Sequence, residues 1–120
     1  MGKVALVTHK GASIVKVDLS HTASVEENLE VLEQAKAIIG AKPPRSVLLL
    51  TDVTKAFFNA RGIAAIKEWS AWNTPYLKAS AVLGIWGIYR IVYEAVVKLV
   101  GREIVCFDTE ADALDWLADR

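Results

Sequence analysis

Apolar and polar residues follow one another along the chain in blocks that predict alternating strands and helices. Two β-branched runs, Val4 to Thr8 and Ser13 to Leu19, flank the polar stretch "HKGA", which predicts an antiparallel hairpin. Ser24 then stands three residues before Glu27, the spacing of a helix capping box. Apolar residues follow at helical intervals as far as Gly40, so we expect the first helix in this segment.

The rest of the chain alternates strands with helices. Three short apolar runs are typical of strands buried on both faces: "SVLLL", "ASAVLGI" and "EIVCF". Helices are predicted over Ala60 to Trp72, Ile88 to Val100 and Thr109 to Ala118, with Thr109 as the cap of the last one. This order predicts a single α/β domain over residues 1–120. Its mixed five-stranded sheet begins with the antiparallel hairpin, continues with largely parallel strands and carries four helices.

Composition narrows the classes of function. Fourteen basic residues balance fourteen acidic ones, so no net field attracts nucleic acid or an anionic membrane surface. The longest apolar segment, "ASAVLGIWGIY", is too short to cross a bilayer. The sequence has a single cysteine, Cys106, in an apolar run. A single cysteine excludes a disulfide framework, which indicates a reducing compartment. We therefore expect a cytoplasmic protein without stable membrane insertion and without a nucleic-acid partner.

The titratable residues do not assemble a catalytic or metal-binding pattern. His9 and His21 are far apart and have no cysteine or acidic neighbour at ligand spacing. The apolar neighbours of Cys106 favour a buried thiol over an exposed nucleophile. We therefore expect no enzymatic activity, no metal and no cofactor.

The stretch "GIWGIYR" is a candidate for a small anion site. Gly84 and Gly87 fall at a strand-to-helix junction close to Arg90, where backbone N–H groups and the guanidinium can hold a phosphate or carboxylate. The stretch lacks the lysine of a P-loop and the third glycine of a dinucleotide fingerprint. A tight turn is the favoured interpretation, and an anion site is the alternative.

The segment "SVLLLTDVTKAFFNARGIAAI" resembles the one by which STAS domains of the anti-sigma-factor-antagonist type are recognised: a strand, an acidic turn, and Asp-Ser-Ser-Gly-Leu opening a helix. Asn59, Ala60, Arg61, Gly62 and Ile63 occupy those five places. The C-terminal segment, from "AVLGIWG" to "FDTEADALDWL", is similar to the ending of the SpoIIAA-like proteins. That branch shares a fold with CRAL-TRIO lipid-transfer domains. The resemblance implies a STAS/SpoIIAA-like fold.

This chain departs from the resembled motif at its regulatory serine, which corresponds to Arg61, and at the neighbouring serine, which corresponds to Ala60. We therefore do not expect the serine phosphorylation switch that the family implies. Asn59 is expected to cap the second helix instead. As an alternative, Asp52, Asn59 and Arg61 bind an anionic group, because α/β sheets place ligands at the carboxyl ends of their strands.

Two functions remain open. The resemblance to STAS domains implies a non-enzymatic regulatory or protein-interaction module that acts through a surface helix or through the Asp52 to Arg61 loop. The kinship with CRAL-TRIO domains implies a carrier or sensor of a hydrophobic small molecule or lipid. That second function needs a cavity on the order of several hundred Å³.

The third predicted helix has an apolar arc wider than one sheet can cover. One stripe is expected to face the sheet: Ile88, Ile91, Val92, Ala95 and Leu99. An adjoining sector is expected, together with Trp86, to bind a partner: Tyr89, Tyr93, Val97 and Val100. We predict that this partner is a second copy of the chain, in a homodimer. The alternative is that neighbouring elements of the same chain cover the sector.

Overall fold

The computed structural model describes residues 3–85, 89–101 and 104–120, and of Tyr89, Val92 and Val100 it describes the backbone. The elements along the chain are β1 Lys3–His9, β2 Ala12–Asp18, α1 Val25–Ile39, β3 Val47–Asp52, α2 Ala60–Asn73, β4 Leu77–Leu83, α3 Tyr89–Val100, β5 Val105–Phe107 and α4 Glu110–Ala118. A single 3₁₀ turn, Thr74–Tyr76, joins α2 to β4. The predicted α/β class and the predicted order of elements are confirmed.

The five strands lie in the sheet in the same order as in the chain, β1-β2-β3-β4-β5. β1 and β2 pair antiparallel across a two-residue turn, Lys10 and Gly11, and both residues have positive φ as a tight hairpin turn requires. β2, β3, β4 and β5 pair parallel. The prediction of a mixed sheet with an N-terminal hairpin is therefore confirmed.

This strand order decides which face of the sheet each helix covers. The helices α1, α2 and α3 connect β2 to β3, β3 to β4 and β4 to β5. Each of these crossovers leads to the next strand in the same direction, and such crossovers have the same right-handed sense, so the three helices lie on one face of the sheet. Side chains such as Val31, Ile66 and Val96 of these three helices form one apolar cluster with the sheet. On the opposite face, α4 packs through Ala113, Leu114 and Leu117 against a second apolar cluster.

The helices begin where the sequence places capping residues. The Ser24 hydroxyl accepts a hydrogen bond from the Glu27 N–H at 3.3 Å, and the Glu27 carboxylate accepts one from the Ala23 N–H. The Thr109 hydroxyl accepts from the Asp112 N–H at 3.2 Å. These bonds satisfy N–H groups that have no partner inside the helix, which confirms both predicted starts.

Ion pairs tie α4 to the hairpin. Lys16 on β2 contacts Glu110 at 2.6 Å, and Asp115 contacts His9 at 2.7 Å and Lys10 at 3.1 Å. Burial acts to lower the pKa of Lys16, but the hydrogen bond and charge of Glu110 more than offset it, so that pKa is raised. The hydrogen bonds from His9 and Lys10 lower the pKa of Asp115. α4 is therefore held by charge as well as by its apolar face.

The rotation of α3 differs from the prediction. Ile91 and Leu99, which were expected to face the sheet, are 68% and 57% exposed. Val96 is buried, and Tyr93 and Val97, which were expected to bind a partner, are half-buried and pack against the core. The prediction that Ile91 and Leu99 face the sheet is wrong, because α3 is apolar on two sides and periodicity alone cannot decide which side meets the sheet.

Gly84 marks the place where the end of β4 meets the loop after β3. Its φ is +85°, and a Cβ atom there would lie 2.3 Å from the Thr54 hydroxyl oxygen and 2.5 Å from the Thr54 backbone. Backbone atoms cannot yield as a flexible side chain can. This contact accounts for Gly84 without any ligand, because only glycine allows both the close approach and the positive φ.

Replacing Gly84 by alanine is expected to cost about 3 kcal/mol or more of unfolding free energy, since the clash adds to the backbone strain. Gly11→Ala is the matched control, because Gly11 has a φ of +80° but a Cβ atom added there would have no neighbour within 4 Å. The control should lose only about 1 to 2 kcal/mol. Urea denaturation measures both values, and equal losses for the two variants would contradict the contact.

Candidate functional site

The carboxyl ends of β2 and β3 carry the same small turn side by side. One Asp18 oxygen accepts hydrogen bonds from the Ser20 N–H at 2.9 Å and from the Ser20 hydroxyl at 2.5 Å. One Asp52 oxygen accepts from the Thr54 N–H at 3.0 Å and from the Thr54 hydroxyl at 2.7 Å. The two aspartates are also direct partners in the sheet register. Each carboxylate is therefore engaged in holding its own loop.

Main-chain hydrogen bonds join these loops beyond the ends of the strands. The Leu19 N–H donates to the Asp52 carbonyl at 2.8 Å, and the His21 N–H donates to the Thr54 carbonyl at 2.9 Å. The Val53 N–H donates to the Leu83 carbonyl at 2.9 Å. The loops after β2, β3 and β4 consequently form one connected edge.

Residues 53–59, which we call the Phe57 loop, are fixed by two buried polar side chains from the preceding segment. The Phe57 N–H donates to the Thr22 hydroxyl oxygen at 3.2 Å. The Phe57 carbonyl accepts from the Asn28 side-chain amide at 2.7 Å. Thr22 is 4% exposed and Asn28 is 2% exposed, whereas the residue that they hold, Phe57, is 41% exposed. The next residue, Phe58, turns inward and packs against the core.

Sequence reasoning missed Thr22 and Asn28. Asn28 lies three residues after Val25 and four before Leu32, so it belongs to the buried stripe of α1. A polar residue in an apolar helical stripe is the pattern that would have identified it, since buried polar groups need a partner. Nothing comparable in the sequence distinguishes Thr22 from an ordinary loop residue.

Asn59 and Arg61 both have partners within the chain. The Asn59 side-chain oxygen accepts from the Gly62 N–H at 2.9 Å, which confirms Asn59 as the N-cap of α2. The Arg61 guanidinium donates to the Glu26 carboxylate at 2.9 Å in an exposed ion pair. Thr51, which precedes the Phe57 loop near the end of β3, is buried. The residues that match the STAS motif thus serve as a helix start and as a contact with α1.

A cavity of about 70 Å³ lies between the sheet and the helices α2 and α3. Apolar side chains line most of it, together with the hydroxyls of Thr51, Ser70 and Ser80. Trp69 also lines the cavity, and its buried indole N–H has no hydrogen-bond partner in the part of the chain that the structure describes. This volume suits about two water molecules. It is far below the several hundred Å³ that a lipid-sized ligand requires.

Cys106 on β5 and Arg90 on α3 both lie close to Tyr93. Burial raises the pKa of the Cys106 thiol, and Tyr93 and Arg90 offset that effect only in part. A raised pKa favours the protonated thiol over the reactive thiolate. The Arg90 guanidinium lies 5.8 Å from the centre of the Tyr93 ring, and the Tyr93 hydroxyl donates to the Ile104 carbonyl.

The remaining candidates fall outside this arrangement. Trp86 and Gly87 lie outside the described residues, as do the side chains of Tyr89 and Val100. Within the described ranges, no three His, Cys, Asp or Glu side chains are grouped as a metal site requires. None of the helices, in the part of the chain that the structure describes, is long and apolar enough to cross a bilayer.

Comparison with solved structures identifies the fold. The chain is similar to an uncharacterized protein of the DUF3478 family from Shewanella loihica PV-4, which has a SpoIIAA-like fold. The two share 19% sequence identity with a TM-score of 0.66, over 98% of this chain and 95% of the other. The SpoIIAA-like fold implied by the sequence resemblance is therefore confirmed. A scan against protein-family models and a search of curated proteins found no match.

Asn59→Ala should lower the unfolding free energy by about 0.5 to 2 kcal/mol, because the Gly62 N–H loses its partner. Asn59→Asp is the matched control and should stay close to the wild type, since aspartate caps as well as asparagine does. Chemical denaturation gives both values. An Asn59→Ala variant with an unchanged midpoint would show that the cap contributes nothing to stability.

Proposed function

We propose that this SpoIIAA-like domain is a non-enzymatic module that binds a protein partner at the carboxyl edge of its sheet, with the Phe57 ring as the anchor. One observation carries the proposal. An exposed aromatic side chain stands on a backbone whose N–H and carbonyl are both held by buried polar side chains, Thr22 and Asn28. Exposed aromatic residues on fixed backbone are the groups that dominate many protein interfaces.

The energetics of this arrangement favour a role in binding. The Asn28 side-chain oxygen is buried and has no partner among the described residues, and an unsatisfied buried acceptor costs about 1 to 3 kcal/mol. An apolar residue at this position of α1 would avoid that cost but would release the Phe57 carbonyl. A backbone that is already fixed loses little freedom when the ring is buried against a partner. The asparagine is therefore better explained by the position of Phe57 than by stability.

The chemistry of the same edge supports a non-enzymatic role. Asp18 and Asp52 are engaged in turns, and Arg61 is paired with Glu26. The Cys106 thiol is protonated and suits a reducing compartment such as the cytoplasm. Since positions 60 and 61 carry no hydroxyl, we propose that partner binding is not controlled by the serine phosphorylation of the STAS type.

A hydrophobic carrier function is less well supported. The cavity beside Trp69 is the feature that favours it, since the indole N–H there has no partner among the described residues. Its volume of about 70 Å³ leaves room for a few atoms only. We therefore retain, as the alternative, a sensor of a very small molecule that has both a polar and an apolar group, rather than a lipid carrier.

We also propose that the chain forms a homodimer, through a different face of α3 from the one expected. Ile91, Ala95 and Leu99 follow each other at intervals of four residues, and the two larger side chains are exposed. A two-fold axis at Ala95 would place Ile91 of one copy against Leu99 of the other in antiparallel helices. The small side chain at the centre permits a close approach of the two helices.

Photo-crosslinking tests the Phe57 anchor. A benzoyl-phenylalanine introduced at position 57 should capture one protein in cells that express the chain naturally, because the aromatic ring contacts the partner directly. Benzoyl-phenylalanine at position 6 is the control, since Leu6 is an exposed apolar residue on the edge strand β1. The partner is then identified by mass spectrometry and purified.

The purified partner should bind Phe57→Ala at least about tenfold more weakly than the wild type, in line with the loss of a central aromatic contact. Thermal unfolding of the variant should be almost unchanged, because the ring is exposed. Leu6→Ala should bind like the wild type. Equal affinities for the Phe57→Ala variant and the wild type would remove Phe57 from the interface and refute the proposal.

The dimer is tested by light scattering at micromolar concentration, where the wild type should have twice the mass of the chain. Leu99→Glu should give a folded monomer with an unchanged circular dichroism spectrum, because it places a charge in the contact without entering the core. Leu6→Glu changes an equally exposed residue elsewhere and should remain dimeric. A wild type that scatters as a monomer would refute the dimer.

A further inference from the structure

A groove of about 470 Å³ lies at the opposite edge of the sheet from the Phe57 loop. It is formed by the segments before β3 and β4, by the start of β4 and by the C-terminal end of α4. Its lining consists of Arg45, Thr74, Pro75, Leu77, Lys78, Ala79, Ser80, Trp116 and Arg120. This volume is within the range of small-molecule binding sites.

The groove brings together three cations that have no counter-ion among the residues that the structure describes. Among the described residues, no carboxylate lies within ion-pair distance of Arg45, Lys78 or Arg120. Exposed cations elsewhere in the described chain, such as Lys55 and Lys98, also lack such a partner, and what sets these three apart is that they line one groove. Like charges that share a groove repel one another, and a bound anion removes that repulsion.

Local contacts position the two arginines. The Arg120 guanidinium lies 4.5 Å from the centre of the Trp116 ring, and its Nε donates to the Trp116 carbonyl at 3.1 Å. The two terminal nitrogens of this guanidinium have no partner within the described chain. Arg45 has a φ of +56°, which is uncommon for a residue with a side chain, and its N–H donates to the Pro75 carbonyl at 3.0 Å.

The chemistry of these groups selects the ligand. Guanidinium groups bind the oxygens of phosphate through paired N–H donors, and a lysine ammonium adds a point charge. The centre of the Trp116 ring lies 4.5 Å from the Arg120 guanidinium and 5.7 Å from the centre of the Phe107 ring. Because the ring already contacts these two side chains, stacking of nucleic-acid bases on it has little support. We propose that this groove binds the phosphate groups of a small phosphorylated molecule. This inference is independent of the partner proposed for Phe57.

Calorimetric titration with inorganic pyrophosphate tests the proposal, with the ionic strength held constant by sodium chloride. The wild type should show saturable binding of one pyrophosphate per chain. The double variant Arg45→Gln with Lys78→Gln should bind at least about tenfold more weakly, since two of the three cations are removed. Lys55→Gln with Lys98→Gln removes the same charge from exposed sites elsewhere and should bind like the wild type.

Three results would overturn the proposal: no saturable heat with the wild type, an equal loss of affinity in the control pair, or equally tight binding of a polyglutamate peptide. Circular dichroism checks that the variants are folded. If the double variant is unstable, the single variant Lys78→Gln replaces it, with an expected loss of about threefold or more. An unchanged affinity of that folded variant would equally refute the site.

Discussion

The hydrogen bonding of the parallel strands does not stop where the strands end, and the rest of this structure depends on that continuation. Leu19, His21 and Val53 extend the pairing of β2, β3 and β4 into the loops that follow. Two aspartate turns and the close contact between Gly84 and Thr54 complete the connection. Loops at such an edge ordinarily move more than the strands they join. Here main-chain hydrogen bonds join them to one another.

The strand order also means that the two faces of the sheet are covered by different numbers of helices. Three helices cover one face, and the short α4 packs against the other. A helix of nine residues buries little surface, so the ion pairs from Lys16 and Lys10 and the hydrogen bond between His9 and Asp115 add to its attachment. The same helix supplies Trp116 and Arg120 to the basic groove, and the position of that groove therefore depends on how α4 is docked.

Features governed by neighbours in the sequence were predictable, and features governed by distant residues were not. The hairpin, the helix caps at Ser24, Asn59 and Thr109 and the succession of strands and helices along the chain follow from local patterns. The rotation of α3 did not follow, because both of its sides are apolar. Thr22, Asn28 and Phe57 come together only when α1 packs beside the Phe57 loop. Net charge likewise gave no indication of Arg45, Lys78 and Arg120, which are far apart in the chain.

The small cavity beside Trp69 also has a mechanical meaning. A cavity of about 70 Å³ is lost when the chain unfolds, which is roughly 40 mL per mole of protein, and the volume change of unfolding scales with such internal space. Hydrostatic pressure acts on this volume directly, whereas heat and denaturants act mainly on exposed surface. Compression should thus loosen the layer between the sheet and the helices α2 and α3, where this cavity lies.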